Sequence, residues 1–118
     1  MKIRSDFVTN SSSSAYICLR VDYDLQETIL TANGVTSEQL LEKAYDEGLD
    51  EVGLKGENMV AAVGECYIKY VGRTLYESDL ESKTLTQLKE EVAQAIKDAY
   101  GIQLNAQDIE FDYGEIER

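Results

Sequence analysis

Residues 84–101 have the sequence TLTQLKEEVAQAIKDAYG, the most regular apolar pattern in the chain. Thr84 and Gln87 have the spacing of a capping box, in which each side chain accepts a hydrogen bond from the other residue's backbone N–H. Apolar residues then recur every three to four positions, and Gly101 provides a stop. The pattern predicts a helix over residues 85–100 whose packed face is formed by Leu85, Leu88, Val92, Ala95, Ile96 and Ala99.

A second capping box lies upstream, where Thr36 precedes Gln39 by three residues. It predicts a helix at about residues 37–47, with Gly48 as its stop. The apolar stripe of this helix is predicted to consist of Leu40, Leu41, Ala44 and Tyr45. A shorter helix is favoured within residues 22–33, because Leu25, Ile29 and Leu30 have helical spacing there.

Strands are predicted where β-branched and aromatic residues cluster or alternate. The first covers residues 15–21 and follows a polar run at residues 9–14 that predicts a loop. A β-meander is predicted near residues 59–76, with two-residue turns at Gly64-Glu65 and at Gly72-Arg73. These turns would separate three short strands.

The C-terminal segment alternates Ile109, Phe111 and Tyr113 with acidic residues, which predicts a strand with one buried face. No internal repeat or linker interrupts the chain, so we expect one domain over residues 1–118, with residues 1–14 as a flexible head and serine loop. The predicted fold class is α+β: an antiparallel or mixed sheet of about four to five strands, with the two main helices packed mainly on one face.

The charge of the chain is strongly negative and uneven. It carries 23 acidic and 11 basic residues, a formal net charge of -12. Residues 1–21, in contrast, contain Lys2, Arg4 and Arg20 against the single acid Asp6. A negative field repels phosphate backbones, so direct nucleic-acid binding is not expected. The acidic residues either bind a basic protein or only keep the surface soluble, and the sequence leaves both interpretations open.

Several kinds of chemistry are excluded by composition. The chain has no histidine, so it lacks Ser-His and Cys-His catalytic pairs and His-bearing zinc sites. It has no glycine-rich phosphate loop of either common type. Cys18 and Cys66 are too few for a disulfide framework, and both are expected as small buried apolar side chains. We therefore expect no cofactor, no metal site and no catalytic residue, and we predict that the protein is not an enzyme.

The sequence also bears on the location of the protein. No apolar run approaches the roughly 20 residues that a bilayer requires. Asp6 and the polar run at residues 9–14 interrupt the apolar stretch that a secretion signal needs. We expect no membrane association and a cytoplasmic location.

Two acidic groups are the candidate partner-binding residues. The first is in the helix at residues 37–47 and the second is near the C-terminus, and together they comprise Glu38, Glu42, Asp46, Asp108, Glu110 and Asp112, with Tyr113 beside them. Eight tyrosines against two phenylalanines favour a binding face, because tyrosine is common where an apolar body meets water. Tyr23, Tyr76 and Tyr113 have acidic neighbours, whereas Tyr16, Tyr45 and Tyr100 are expected in or beside the core.

Residues 1–17 have the sequence MKIRSDFVTNSSSSAYI. This stretch resembles an N-terminal motif of small uncharacterised proteins of bacteria and their phages, with a basic K-I-R start, F-V-T-N, a serine run and an aromatic–aliphatic strand. Ala15-Tyr16 departs from that motif, which continues with another serine and a phenylalanine. The resemblance implies an origin in a phage, prophage or bacterial accessory gene, and it implies no reaction. The candidate motif residues are Phe7, Asn10, Ser11, Ser12, Ser13 and Ser14.

These observations predict a small acidic, non-enzymatic interaction protein of phage or mobile-element type that binds a basic partner protein. The alternative is a structural or self-assembling protein whose N-terminal arm pairs with a neighbouring copy, which would make it a homo-oligomer. A third possibility is a small enzyme that uses carboxylates alone, which would need two carboxyl groups of separated pKa in one cleft. No spacing in the sequence indicates such a pair.

Overall fold

Four helices and five strands form the protein, for which the computed structural model describes residues 14–64 and 66–116. In chain order these elements are β1 (Ser14–Arg20), α1 (Tyr23–Ala32), α2 (Ser37–Glu47), β2 (Glu51–Gly53), β3 (Val60–Val63), β4 (Ile68–Leu75), α3 (Glu77–Ser82), α4 (Leu85–Tyr100) and β5 (Glu110–Ile116), with a 3-10 turn at Ala106–Asp108 before β5. The predicted head and serine loop lie outside the described residues except for Ser14, which begins β1.

The main helices begin at side-chain caps and end at glycines, as the sequence predicted. Both capping boxes form, Thr36 with Gln39 before α2 and Thr84 with Gln87 before α4. α2 and α4 each end at a glycine with a positive φ, a conformation that is strained for other residues. α1 is also present, and its N-cap Asp22 accepts a hydrogen bond from the backbone N–H of Leu25 at 2.9 Å.

The five strands form one antiparallel sheet in the order β2-β3-β4-β1-β5. β1 lies between β4 and β5, and its pairing with β5 extends from Ser14 opposite Ile116 to Arg20 opposite Glu110. β5 is therefore the outer strand on one side and β2 the outer strand on the other. The α+β class is confirmed, the sheet is antiparallel, and the described residues form a single domain.

The main core lies between the helices and one face of the sheet. It contains Leu19 of β1 and Val71 of β4, together with the buried stripe of α4 that includes Leu88, Val92 and Ile96. A smaller cluster of Cys18, Ala62 and Tyr70 forms separately, on the side of the sheet to which alternate residues point. This second side is called the helix-free face, because the buried helix residues belong to the main core.

The predicted meander at residues 59–76 contains two strands, β3 and β4, and not three, because the predicted turn at Gly72-Arg73 is wrong; the third strand of this part of the sheet is β2. Both residues lie inside β4, which continues to Leu75 without a break. Gly72 is a glycine for another reason: a Cβ there would lie 1.9 Å from the backbone oxygen of Leu19 on β1. It permits a close approach of two strands, which is the second common role of glycine in a sheet.

Arg73 connects the sheet to two helices. Its guanidinium is nearly buried and donates to Asp79 of α3 and to Glu91 of α4, at 2.9 Å each. Lys83 lies 2.6 Å from the other carboxylate oxygen of Glu91. A buried charge needs such partners because its desolvation is costly, so this cluster fixes α3 and α4 relative to β4.

Some predicted core positions are wrong. Tyr45 is 83% exposed, because it lies about 140° around α2 from the buried Leu40. Leu85, in the first turn of α4, is also exposed. Cys66 is exposed and precedes β4, whereas Cys18 is buried as expected. Phe111 and Tyr113 are exposed as well, and their position is described below.

Candidate protein-binding surface

The first acidic group lies on the outside of α2. Glu38, Glu42 and Asp46 are all exposed, consistent with a helix that buries Leu40 and Ala44 on its other side. The nearby Glu47 is paired with Lys43 one turn earlier, at 3.4 Å. α2 contacts β2, so this group lies near the β2 side of the sheet.

The second acidic group lies along β5 and the turn before it. The carboxylate of Asp108 accepts a hydrogen bond from the backbone N–H of Asn105 at 2.8 Å, which caps the 3-10 turn. Glu110 is exposed opposite Arg20, and Asp112 forms a 2.9 Å ion pair with the guanidinium of Arg20. Between residues 106 and 116 there are four acids, Asp108, Glu110, Asp112 and Glu115, and no lysine or arginine.

The aromatic residues of β5 point to the opposite side from Glu110 and Asp112. Phe111 lies opposite Leu19 and Tyr113 opposite Ile17, so both belong to the side of the sheet that carries the helices. They nevertheless remain 41% and 73% exposed, because β5 is the outermost strand. We call Asp108, Glu110, Phe111, Asp112 and Tyr113 the β5 edge surface.

The structure does not join the two predicted acidic groups. β2 and β5 are the two outer strands of a five-stranded sheet, about 19 Å apart at the usual strand spacing. Glu110 and Asp112 also point to the helix-free face, whereas α2 packs on the other face. The acidic residues therefore form two separate surfaces, and the β5 edge surface is the one that adds exposed aromatic side chains.

The outer edge of β5 has some, but not all, of the features that usually discourage strand pairing. Outer strands commonly carry charged side chains, especially lysine, or a proline or a bulge. β5 has seven residues, with neither lysine nor proline, and its register with β1 runs without a shift. Its charged side chains include the acids Glu110 and Asp112, and within the described residues no strand lies beyond it.

Sequence reasoning missed a cleft beside α4. It has a volume of about 440 Å³ and a floor of small residues, and it is lined by Gly56, Glu57, Glu91, Gln94, Ala95, Asp98 and Ala99. Hydrogen bonds from Lys83 and Arg73 lower the pKa of Glu91, so this carboxyl group stays ionised. Asp98 accepts a hydrogen bond from the side-chain amide of Gln94 at 2.8 Å. The cleft could not be found from spacing, because the loop at Gly56-Glu57 is distant from α4 in sequence.

A hydroxyl pair lies on the helix-free face. The side chains of Thr74 and Tyr70 both donate to the carboxylate of Glu51 on β2, and they also contact each other. Burial raises the pKa of the Tyr70 hydroxyl, which therefore stays protonated at neutral pH. The carboxylate satisfies two hydroxyl groups on this face, so the arrangement is explained by its structural role.

The two cysteines differ in chemistry. Burial, together with the nearby Asp112 carboxylate, raises the pKa of the Cys18 thiol to about 12. A thiol with that pKa is almost fully protonated at neutral pH, and only the thiolate is a good nucleophile. Cys18 is therefore an inert member of the helix-free cluster.

Two other kinds of feature are absent from residues 14–64 and 66–116. No group of three or more Cys, Asp or Glu side chains in this part of the chain could hold a metal ion. None of its helices has the length and apolar character needed to cross a bilayer. The candidate motif residues Phe7, Asn10, Ser11, Ser12 and Ser13 lie outside the described residues, and Ser14 pairs with Ile116.

The chain was compared with protein-family models, curated proteins and solved structures, and none of them matches it.

Proposed function

We propose that the protein is a non-enzymatic interaction protein that binds a basic partner protein through the β5 edge surface. The observation that carries this proposal is that one outer strand presents two exposed aromatic side chains, Phe111 and Tyr113, on one side and two acids, Glu110 and Asp112, on the other. Aromatic side chains provide the apolar contact area of an interface, and the acidic row sets which partner approaches and how fast.

The geometry also favours a way of binding. An extended segment can join the outer edge of a sheet as an added strand, with backbone hydrogen bonds for affinity and alternate side chains for specificity. On β5 the alternate side chains are acidic on the helix-free face and aromatic on the helix-covered face. A partner segment that alternates basic and apolar residues matches both sides.

Charge favours a different protein over a second copy of β5. Two β5 strands paired with each other would bring Glu110 and Asp112 of one copy close to the same acids of the other. Like charges on neighbouring strands destabilise a sheet, whereas opposite charges stabilise it. A basic segment is therefore the better occupant of this edge.

The hydrogen bonds and ion pairs of the buried and partly buried carboxylates favour a binding role over catalysis. In the cleft beside α4, Glu91 is held ionised by Lys83 and Arg73, and Asp98 is engaged by Gln94. On the helix-free face Glu51 is engaged by Thr74 and Tyr70. Each of these carboxylates has a structural partner, and none is set apart as a proton donor. The proposal includes a cytoplasmic location and, from the N-terminal resemblance, an origin in a phage or mobile element.

Affinity capture from a bacterial lysate tests the proposal when it compares matched variants at low and moderate salt. Glu110→Lys changes the β5 edge surface, and Glu90→Lys makes the same charge change at an exposed position of α4. We expect the wild type and Glu90→Lys to retain the same basic protein, and Glu110→Lys to retain at least fivefold less of it. Added salt should reduce the capture by the wild type, because the attraction is screened.

Equal capture by all three forms would remove the β5 edge surface from the proposal. Equal loss in Glu90→Lys and Glu110→Lys would show that only total charge matters, which contradicts a defined site. Tyr113→Ala provides a test that keeps the charge constant, and it should also reduce capture.

A further inference from the structure

We infer that α3 is a lid that opens by local unfolding, independently of the core, and that the carboxylate of Asp79 is the latch that holds it closed. The closed lid forms one wall of a cavity of about 210 Å³ between α3 and the sheet. The inference concerns neither β5 nor a partner protein, so it does not rest on the proposed function.

α3 has little apolar attachment to the rest of the protein. None of its six residues is buried, and its one apolar side chain, Leu80, is 39% exposed. A helix of this length is not stable by itself in water, so its order depends on the groups that hold it in place. α4, in contrast, is held by a buried apolar stripe. α3 should therefore open at a much lower free energy than α4.

The side chain of Asp79 holds the lid through both of its carboxylate oxygens. One accepts a hydrogen bond from the guanidinium of Arg73 on β4, and the other accepts from the backbone N–H of Tyr76, the N-cap of α3, at 2.9 Å each. The side chain of Arg73 is only 9% exposed, and a charge-assisted hydrogen bond is strong where water is excluded. The ion pair of Lys83 with Glu91 at the other end of α3 is more exposed and therefore weaker.

The cavity lies directly behind this latch. α3 lines it with Ser78 and Asp79, and the strands line it with residues that include Val60 of β3 and Thr74 of β4. Arg73 lines it as well. Unfolding of α3 removes the wall formed by Ser78 and Asp79, so it gives solvent and small solutes access to the guanidinium of Arg73.

Hydrogen exchange on the full-length wild type tests whether the lid opens separately from the core. The probe amides donate to acceptors within α3 and its N-cap, and they belong to Tyr76, Leu80 and Lys83. We expect them to be protected, but about a hundredfold less than the amides of Val92 and Ile96 in α4. Low concentrations of urea should hardly change exchange at the probe amides, because local opening exposes little surface, and should accelerate it steeply in α4.

A pair of variants on the same helix tests the latch. Asp79→Asn keeps an oxygen for the N–H of Tyr76 and removes the charge that binds Arg73. Exchange at the probe amides should become about tenfold faster, while Val92 and Ile96 stay unchanged. Glu81→Gln removes one charge from an exposed position of α3, so it is the matched control and should change neither set.

Several results would overturn the inference. Probe amides as slow as those of Val92 and Ile96 in the wild type would show that α3 unfolds only with the core, and unprotected probe amides would show that no closed lid exists. Equal acceleration in Asp79→Asn and Glu81→Gln would show a general effect of charge. Equal acceleration of both sets of amides in Asp79→Asn would assign Asp79 to the stability of the whole fold. If Asp79→Asn does not fold, the urea series on the wild type decides, and a steep dependence at the probe amides rejects the lid.

Discussion

α4 and β5 both have regularly spaced apolar residues, but these residues are buried in α4 and exposed in β5. In α4 the apolar stripe is buried, and Leu88, Val92 and Ile96 are almost inaccessible to water. In β5 the apolar residues Phe111 and Tyr113 stay exposed. α4 lies over the sheet, whereas β5 lies at its margin, where the helices of the described chain do not cover these side chains. Periodicity reports which residues share a side and does not report whether that side is covered.

α4 therefore contributes to stability, whereas β5 is the strand to which the proposed function assigns binding. Changes in the stripe of α4 should lower the free energy of unfolding strongly. Changes on β5 should leave it nearly constant while they alter binding.

Ile96→Ala should have the largest effect. Ile96 is fully buried in the main core, and its truncation removes apolar contacts and leaves a cavity. We expect a loss of about 2–4 kcal/mol in the free energy of unfolding, measured by urea denaturation. Lys97→Ala, at the next and exposed position, is the control and should stay within about 0.5 kcal/mol. A near-neutral Ile96→Ala would mean that α4 does not carry the core.

Arg73→Met should have the next largest effect. The substitution leaves Asp79 without its cation and removes one of the two cations of Glu91. Breaking a buried ion pair costs about 3–5 kcal/mol, and we expect about 2 kcal/mol because the two carboxylates keep some access to water. The measurement is again urea denaturation, with Lys83→Met as the control for the more exposed pair. A loss no larger than that of Lys83→Met would show that Arg73 does not connect the helices to β4.

Phe111→Ala should have a smaller effect. Its side chain is 41% exposed, so the truncation removes only part of the contacts that a core phenylalanine would lose. We expect about 1 kcal/mol or less, compared with about 3–5 kcal/mol for a fully buried phenylalanine. A thermal unfolding series on Phe111→Ala and Ile96→Ala gives the contrast directly. A loss equal to that of Ile96→Ala would end the distinction between the two regions.

Glu110→Lys should have the smallest effect on stability. Glu110 is exposed, and surface substitutions of this kind usually change the free energy of unfolding by no more than about 0.5 kcal/mol. Its effect on the capture of a basic protein should be large in comparison. Denaturation and capture measured on the same preparation separate the two quantities. A protein destabilised by more than about 1 kcal/mol would show that the acid supports the fold.

Much of the fold could be predicted from local signals. Thr36 and Thr84 with their capping partners, and Gly48 and Gly101 at the other ends, define α2 and α4 by interactions within a few residues. The errors concern distant neighbours. The sequence predicts a turn at Gly72, but Gly72 lies inside β4. A glycine is needed there because the backbone oxygen of Leu19 on β1 leaves no room for a Cβ.

The candidate site was predictable only in part for the same reason. The acids of β5 are visible in the sequence, but the order of strands makes β5 an outer strand and leaves Phe111 exposed. The distance between the acids of α2 and those of β5 is likewise a property of the sheet. Local sequence contains neither fact.

The contrast between Cys18 and Cys66 has a practical consequence for every experiment on this protein. Cys18 is buried with a pKa of about 12, whereas Cys66 is exposed in the connection between β3 and β4. The natural chain therefore offers one site for attaching a fluorophore, a spin label or a solid support, and this site lies in a connection that does not involve β5. The same thiol can link two copies covalently in air, so samples for mass measurement require a reductant.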